Sequence, residues 1–336
     1  MPLPLLVPIA LGIAGAFGVG KGVKAVVDSN KADDLDKEAR SIVSRREKEL
    51  EEYKQFTNTC LSGYGKKKLE ALTKNVEPFL EYYQQLKNTD RTAASDLENL
   101  HLGAFTEATI GELKHSCELA TSAMTGIGAG AGAGVLTAWG AYGGTMALAT
   151  AGTGTAIGTL SGVAATNATL AWLGGGTLAA GGYGVAGGMA VLGTLVAGPA
   201  LLIFGSILGA KADKKLDEAR TNLEKAETFD TEVRGICQKL VMIQKVAELA
   251  TDTLSQLRIR LRRINTRFAE ILETRGVNFQ NYSTDEKATV FQGVKFAQLI
   301  KAMIDINLLS EDGALLPESE QKFRGINDEI LKIKES

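Results

Sequence analysis

Residues 226–271 read AETFDTEVRGICQKLVMIQKVAELATDTLSQLRIRLRRINTRFAEI, and apolar residues recur through them at intervals that alternate strictly between three and four. The apolar positions are Ala226, Phe229, Val233, Ile236, Leu240, Ile243, Ala247, Ala250, Leu254, Leu257, Leu261, Ile264, Phe268 and Ile271. Such spacing is specific for a coiled-coil seam. It predicts one helix about 70 Å long, at about 1.5 Å per residue, which ends at Gly276. The fold class predicted from it is all-α, an elongated helical bundle or coiled coil.

Further helices are predicted on both sides of this segment from apolar periodicity and capping residues. They cover about residues 28–58, 69–86, 107–124, 284–304 and 317–334. Ser62, Gly63 and Gly65 are expected to break the chain between the first two of these helices. Ser283 or Thr284 is expected to cap the fourth helix, and Pro317 to begin the last one.

Directly before the periodic helix, the chain runs from Leu119 to Ala210 without a charged residue or a histidine, and 24 of these 92 residues are glycine. A soluble domain rarely contains so long a run, because its helices and strands need charged outer faces. A membrane accepts such a run readily, since about 20 apolar residues form one helical span. The segment therefore predicts contact with a lipid bilayer.

The glycines in this segment are regularly spaced in GxxxG patterns, which let neighbouring helix backbones approach closely. The residues predicted to pack helices in this way are Gly126, Gly130, Gly134, Gly154, Gly158, Gly162, Gly184 and Gly188. Turn signals divide off two helical stretches, Thr155–Leu173 and about Tyr183–Leu208, which together predict a hydrophobic helical hairpin. Trp172 and Tyr183 lie near the shared loop, where interfacial aromatic residues are expected.

Three interpretations of the charge-free segment stay open. It is a glycine-rich hairpin buried inside a water-soluble protein, a permanent multi-span membrane region, or a hairpin shielded in water and inserted later. Its low hydrophobicity per residue favours the third, because Gly, Ala and Thr cost little to store in a soluble form. The part from Ala123 to Ala151 lines a lumen, packs between subunits or stays flexible.

The remaining composition excludes several classes of function. A net charge of −2 gives no overall attraction to nucleic acid, and the arginines clustered between Arg258 and Arg267 are more typical of a solvated coiled-coil face than of a phosphate site. Three distant cysteines and two histidines provide no disulfide framework, metal site or catalytic constellation. We therefore expect no enzyme activity, no cofactor and no metal.

The first 20 residues are apolar, but their positive charges, Lys21 and Lys24, follow the apolar run, whereas in a signal peptide they precede it. No signal peptide is expected; the segment is predicted to be a short membrane-associating or buried helix. Residues 15–21 match the GxxxxGK of a phosphate loop. Gly22 replaces the serine or threonine that would hold magnesium, so a nucleotide-using membrane enzyme is the weakest alternative.

Long amphipathic helices on both sides of one glycine-rich hydrophobic hairpin resemble the α-helical pore-forming toxins of the cytolysin A type. The Gly/Ala hairpin also resembles that of apolipoprotein L-like proteins. The run from Ala165 to Gly176 is similar to a segment of uncharacterised bacterial membrane-associated proteins. The toxin resemblance is one of architecture, and it implies insertion into a membrane without assigning a role to any residue.

These observations predict five segments. They are an N-terminal apolar helix (1–27), amphipathic helices of the bundle (28–118), the glycine-rich membrane-inserting region (119–210), the long coiled-coil helix (211–276) and C-terminal helices (277–336). The predicted function is that of a membrane-inserting protein that oligomerises and permeabilises or remodels a bilayer, as a pore-forming toxin or defence effector. The alternative is a membrane-anchored coiled-coil scaffold without pore activity. The expected partners are a lipid bilayer and further copies of the chain, alone or with a second pore component, and the expected location is a cytoplasmic or soluble form with conditional membrane insertion.

Overall fold

The computed structural model describes residues 20–89, 105–128, 133–142, 216–310 and 313–333. Of this part of the chain, 89% is helical and none forms a strand. Two isolated bridges, Lys87 with Asn278 and Leu309 with Leu315, are the β-type pairings within these ranges. The prediction of an all-α fold is confirmed.

The described helices are α1 (Gly20–Ala71), a π-helical turn (Leu72–Val76), α2 (Glu77–Gln85), α3 (Glu107–Gly128), α4 (Ala133–Ala141), α5 (Leu216–Arg275), a 3-10 turn (Phe279–Asn281), α6 (Thr284–Asp305) and α7 (Pro317–Lys332). Each helix predicted outside the charge-free segment overlaps a described helix, and α4 lies within that segment. As predicted, α7 begins at Pro317 and α6 is capped by Ser283.

The periodic segment lies within α5, which is one uninterrupted helix of 60 residues. Every predicted seam position on it is buried except Ile236, which is half-buried beside the buried Cys237. Gly276 adopts a φ of +73° directly after the last helical residue. Because this left-handed conformation favours glycine, Gly276 ends the helix as predicted.

The predicted break at Ser62, Gly63 and Gly65 is wrong, because α1 continues through all three residues to Ala71. Glycine costs an isolated helix about 1 kcal/mol relative to alanine. Close packing of α4 against Gly65 offsets this local cost and keeps the helix intact.

The contacts divide the chain into two compact units, Met1–Glu49 with Pro199–Arg234 and Leu50–Gly198 with Gly235–Ser336. In the first unit, the Arg46 guanidinium forms ion pairs with Asp230 and Glu49. The hydrogen bond from Arg46 lowers the pKa of Asp230. The two units are defined by contacts, whereas the five segments were predicted from sequence composition. The division into five segments therefore stays a prediction.

Within the second unit, α1 and α5 run parallel. Thr57 Oγ1 accepts a hydrogen bond from Gln244 Nε2 at 2.9 Å, and further along both helices Glu70 lies 3.0 Å from the guanidinium of Arg258. Residue numbers therefore rise together on the two helices. The hydrogen-bonded pairs that join this part of α5 to α1 and the π-helical turn are separated by 183 to 191 positions in the sequence.

Replacing Ser283 by alanine is expected to destabilise the protein by about 1 kcal/mol, since it removes a capping box. The Ser283 hydroxyl accepts from the Glu286 amide at 3.2 Å, and the Glu286 carboxylate accepts from the Ser283 amide at 2.7 Å. Urea denaturation followed by circular dichroism measures the change. The matched control is Ser116→Ala, because the Ser116 hydroxyl donates only to the Glu112 carbonyl within its own helix. Equal losses in the two variants would contradict a capping role.

Candidate functional site

The charge-free segment begins inside α3 and contains the whole of α4. The α4 side chains described run from Leu136 onward, and Thr137, Trp139 and Ala141 are no more than 7% exposed, as is Tyr142 directly after the helix. This part of the segment is therefore packed among the helices of the second unit.

The contact between α1 and α4 is a close backbone approach at two glycines, one on each helix. A Cβ atom placed on Gly65 would lie 1.9 Å from the Leu136 carbonyl oxygen, and a Cβ atom on Gly140 would lie 1.9 Å from the Leu61 carbonyl oxygen. No side chain fits at such distances, so both positions require glycine. The hydroxyls of Ser62 and Thr137 lie 2.6 Å apart in the same contact.

One turn after Gly65, the fully buried side chain of Lys68 joins the ends of two helices. Its Nζ donates to the Tyr142 carbonyl at 3.0 Å, just past α4, and to the Ile304 carbonyl at 3.3 Å, in the last turn of α6. The ammonium also lies 4.7 Å from the ring centroid of Tyr64. Carbonyls at the end of a helix have no partner in that helix, and a lysine satisfies them well.

Burial lowers the pKa of Lys68 from 10.5 to about 7, and the carboxylate of Asp305 opposes this shift. A lysine with so low a pKa is often a catalytic nucleophile. Here no substrate reaches the amine, because the residue has no exposed surface and its nitrogen is bound to two carbonyls. Its chemistry in this arrangement is structural.

Neighbouring groups complete the attachment of α4. The amides of Leu308 and Leu309 both donate to the Ala141 carbonyl, at 2.8 and 3.0 Å. Beside it, the Tyr64 hydroxyl donates to the Met303 carbonyl at 3.1 Å and joins α1 to α6. We call the contact of α4 with α1 and with the end of α6 the α4 dock, and define it by Ser62, Gly65 and Lys68 of α1 with Thr137, Gly140, Ala141 and Tyr142.

The sequence prediction missed the α4 dock, although two signals for it are present. Ser62 and Gly65 are small residues three apart, as are Thr137 and Gly140, and such pairs permit close helix contact. Lys68 lies seven residues after the buried Leu61 and four before the buried Leu72, which places it on the buried face of α1.

The arginine cluster of α5 contributes to packing within the second unit. The Nε of Arg258 donates to Asn75 Oδ1 at 3.1 Å, and its Nη1 lies 3.0 Å from Glu70. Asn265 donates to the carbonyl of Asn75 at 2.8 Å, which ties the π-helical turn to α5. Arg258 pairs with a carboxylate, but its side chain is only 17% exposed, so this arginine does not lie on the solvated face that the sequence predicted.

Of the residues predicted to pack helices in the membrane, Gly126 lies in α3 and Gly134 in α4. Those outside the described residues are Gly130, Gly154, Gly158, Gly162, Gly184, Gly188, Trp172 and Tyr183. Among the helices that the structure describes, none is both long and apolar enough to cross a bilayer. In the same part of the chain, no group of three or more His, Cys, Asp or Glu side chains is placed to bind a metal ion. The roles predicted for these glycines and aromatic residues stay predictions.

Comparison with protein-family models, with curated proteins and with solved structures finds no match to this chain.

Proposed function

We propose that this protein stores a charge-free, glycine-rich segment against charged helices and then inserts it into a lipid bilayer. There it oligomerises and permeabilises or remodels the membrane. The architecture resembles that of pore-forming toxins of the cytolysin A type. We therefore propose that the protein acts as a toxin or as a defence effector.

One observation carries this proposal: the 92-residue segment without charge has a described part, from Leu136 to Tyr142, that is held by polar side chains of a charged helix. A segment this rich in Gly, Ala and Thr is inexpensive to shield in water. In lipid its backbone has to form internal hydrogen bonds, which favours helix despite the glycines. A protein that first stores the segment in water and later inserts it into lipid depends on both of these properties, the low cost of shielding and the helix formation in lipid.

The alternative is a membrane-anchored scaffold that recruits partners without opening a pore. The 60-residue helix α5 favours it, since long helices commonly serve as spacers and docking surfaces. In this alternative the charge-free segment is only an anchor.

Purified full-length protein mixed with dye-loaded liposomes distinguishes the two. Flotation with the liposomes together with dye release is the result expected of the proposal. Flotation without release at any protein concentration would overturn it in favour of the scaffold. Absence of flotation would overturn both and favour a permanently buried segment.

The double variant Gly158→Leu with Gly162→Leu tests the glycine packing predicted for residues 155–173. We expect it to float with liposomes but to lose the oligomer, measured by cross-linking in the membrane, because leucine holds neighbouring backbones apart. The matched control is Ala156→Leu with Ala164→Leu, which changes the opposite face of the same predicted helix. Equal effects of the two double variants would contradict a glycine packing face.

A further inference from the structure

We infer that the α4 dock is the latch of the stored state: α4 separates from α1 and from the end of α6 before the charge-free segment enters a bilayer. This inference rests on the proposed function. It names the contact that opens and the two surfaces that part from each other.

The dock is a contact that a small movement abolishes. At Gly65 and Gly140 the two helices touch backbone to backbone, with no side chain that could follow a retreating partner. Dispersion attraction falls off steeply over a gap of about 1 Å. The backbone contact at these two glycines is therefore lost when the helices move apart by a small distance.

The docked helix is also too short to serve as a membrane span. With nine residues α4 measures about 14 Å, whereas the hydrocarbon core of a bilayer is about 30 Å thick. Insertion therefore requires α4 to join neighbouring charge-free residues in a longer element. Its present end, where the Tyr142 carbonyl is bound by Lys68 and the Ala141 carbonyl by two amides, has to open first.

The two surfaces that part at the dock suit different solvents. The α1 side offers the hydroxyl of Ser62 and the amine of Lys68, both of which water hydrates readily. The α4 side carries no charged group, and lipid accepts it. By contrast, the contact of α5 with its neighbours is lined by fully buried residues such as Leu254, Leu257 and Leu261, and its opening would expose apolar surface to water. Opening the dock therefore hydrates polar groups that the contact of α5 with its neighbours lacks at these leucines.

Lys68 favours opening further, because separation returns its amine to water and removes the burial that lowers its pKa. Titratable groups near the amine are Tyr64 on the same helix, whose ring centroid is 4.7 Å away, and Asp305 at the end of α6, which is already paired with Lys301 at 2.7 Å. Among the described residues, the hydrogen bonds of the buried amine go to two backbone carbonyls and to no carboxylate.

A disulfide across the dock tests the inference. Ser62 and Thr137 are replaced by cysteine in a chain that carries Cys60→Ser, Cys117→Ala and Cys237→Ala. The native hydroxyls are 2.6 Å apart, which brings the two cysteine side chains within disulfide range. We expect the oxidised protein to release dye from liposomes at least about tenfold more slowly than the same protein after reduction. The parent chain without the new cysteines is the control, and its release should not respond to oxidant or reductant.

Each outcome has a distinct meaning. Equal release by the oxidised and reduced forms, with the cross-link verified by gel mobility, would overturn the latch and leave the proposed function standing. Absence of release by the parent chain would overturn the proposed function, and the latch with it.

A second measurement needs no cross-link. The chain has two tryptophans, Trp139 in α4 and Trp172, so Trp172→Phe leaves Trp139 as the sole tryptophan. We expect brominated phosphatidylcholine vesicles to quench Trp139 fluorescence at the rate at which dye escapes. Dye release with Trp139 unquenched would mean that α4 stays docked, and would overturn the inference alone.

Discussion

Replacing Gly65 by alanine is expected to destabilise the protein by about 3 kcal/mol, whereas the same replacement at Gly63 is expected to stabilise it by up to about 1 kcal/mol. A Cβ atom on Gly65 would lie 1.9 Å from the Leu136 carbonyl oxygen and 2.8 Å from the Gly140 amide nitrogen, so α1 and α4 have to move apart. A Cβ atom on Gly63 meets no atom within 4 Å. There alanine only restricts the unfolded chain and favours the helix.

Urea denaturation of the two variants and the parent, followed by circular dichroism, measures these changes. The two sites lie two residues apart on one helix, which makes each the control for the other. Acrylamide quenching of Trp139 in a Trp172→Phe background locates the damage, and we expect increased quenching in Gly65→Ala alone. Two variants of equal stability would contradict the close approach of α1 and α4.

The second large effect is a dependence of stability on pH that comes from Lys68. Its pKa is about 7 in the folded protein, against 10.5 for an ordinary lysine. Between these values the unfolded chain binds more protons than the folded one, so stability rises with pH. The stability gained in this way reaches its full value above pH 10.5 and is lost as the pH falls toward 7. From pH 7 to pH 9 the free energy of unfolding should rise by about 2 kcal/mol.

The comparison that isolates this effect uses Lys68→Met, which keeps the length of the side chain and removes the titrating group. Urea denaturation at several pH values gives the difference in stability between parent and variant, and other titrating groups cancel in that difference. At pH 7 we expect the variant to be at least as stable as the parent, because a charged amine is costly to bury. As the pH rises, the free energy of unfolding of the parent should increase relative to that of the variant. A constant difference from pH 7 to pH 9 would show that Lys68 does not titrate in this range.

Features that depend on neighbours along the chain were predictable from the sequence. The alternating intervals of three and four gave the buried face of α5, and Gly276, Ser283 and Pro317 marked helix ends through their own backbone and capping properties. Each of these signals acts over one or two turns.

Features that depend on contacts between residues far apart in the sequence were not predictable from the sequence. Ser62 and Gly65 have the composition of a helix break, but the charge-free helix that packs on them lies about 75 positions further on. The buried position of Lys68 depends on two carbonyl partners that follow it by 74 and 236 positions. For this reason the α4 dock was not predicted, although the charge-free segment that contains α4 was recognised from its lack of charge.

The parallel course of α1 and α5 sets an order of events during biosynthesis. Gln244 is added 187 residues after its partner Thr57, and the charge-free segment is synthesised between them. At about 5 to 20 residues per second, this interval lasts roughly 10 to 40 s. During that time α1 has left the ribosome without its parallel neighbour, and the least polar part of the polypeptide follows it. The charge-free segment is therefore synthesised before the helix that completes the fold exists.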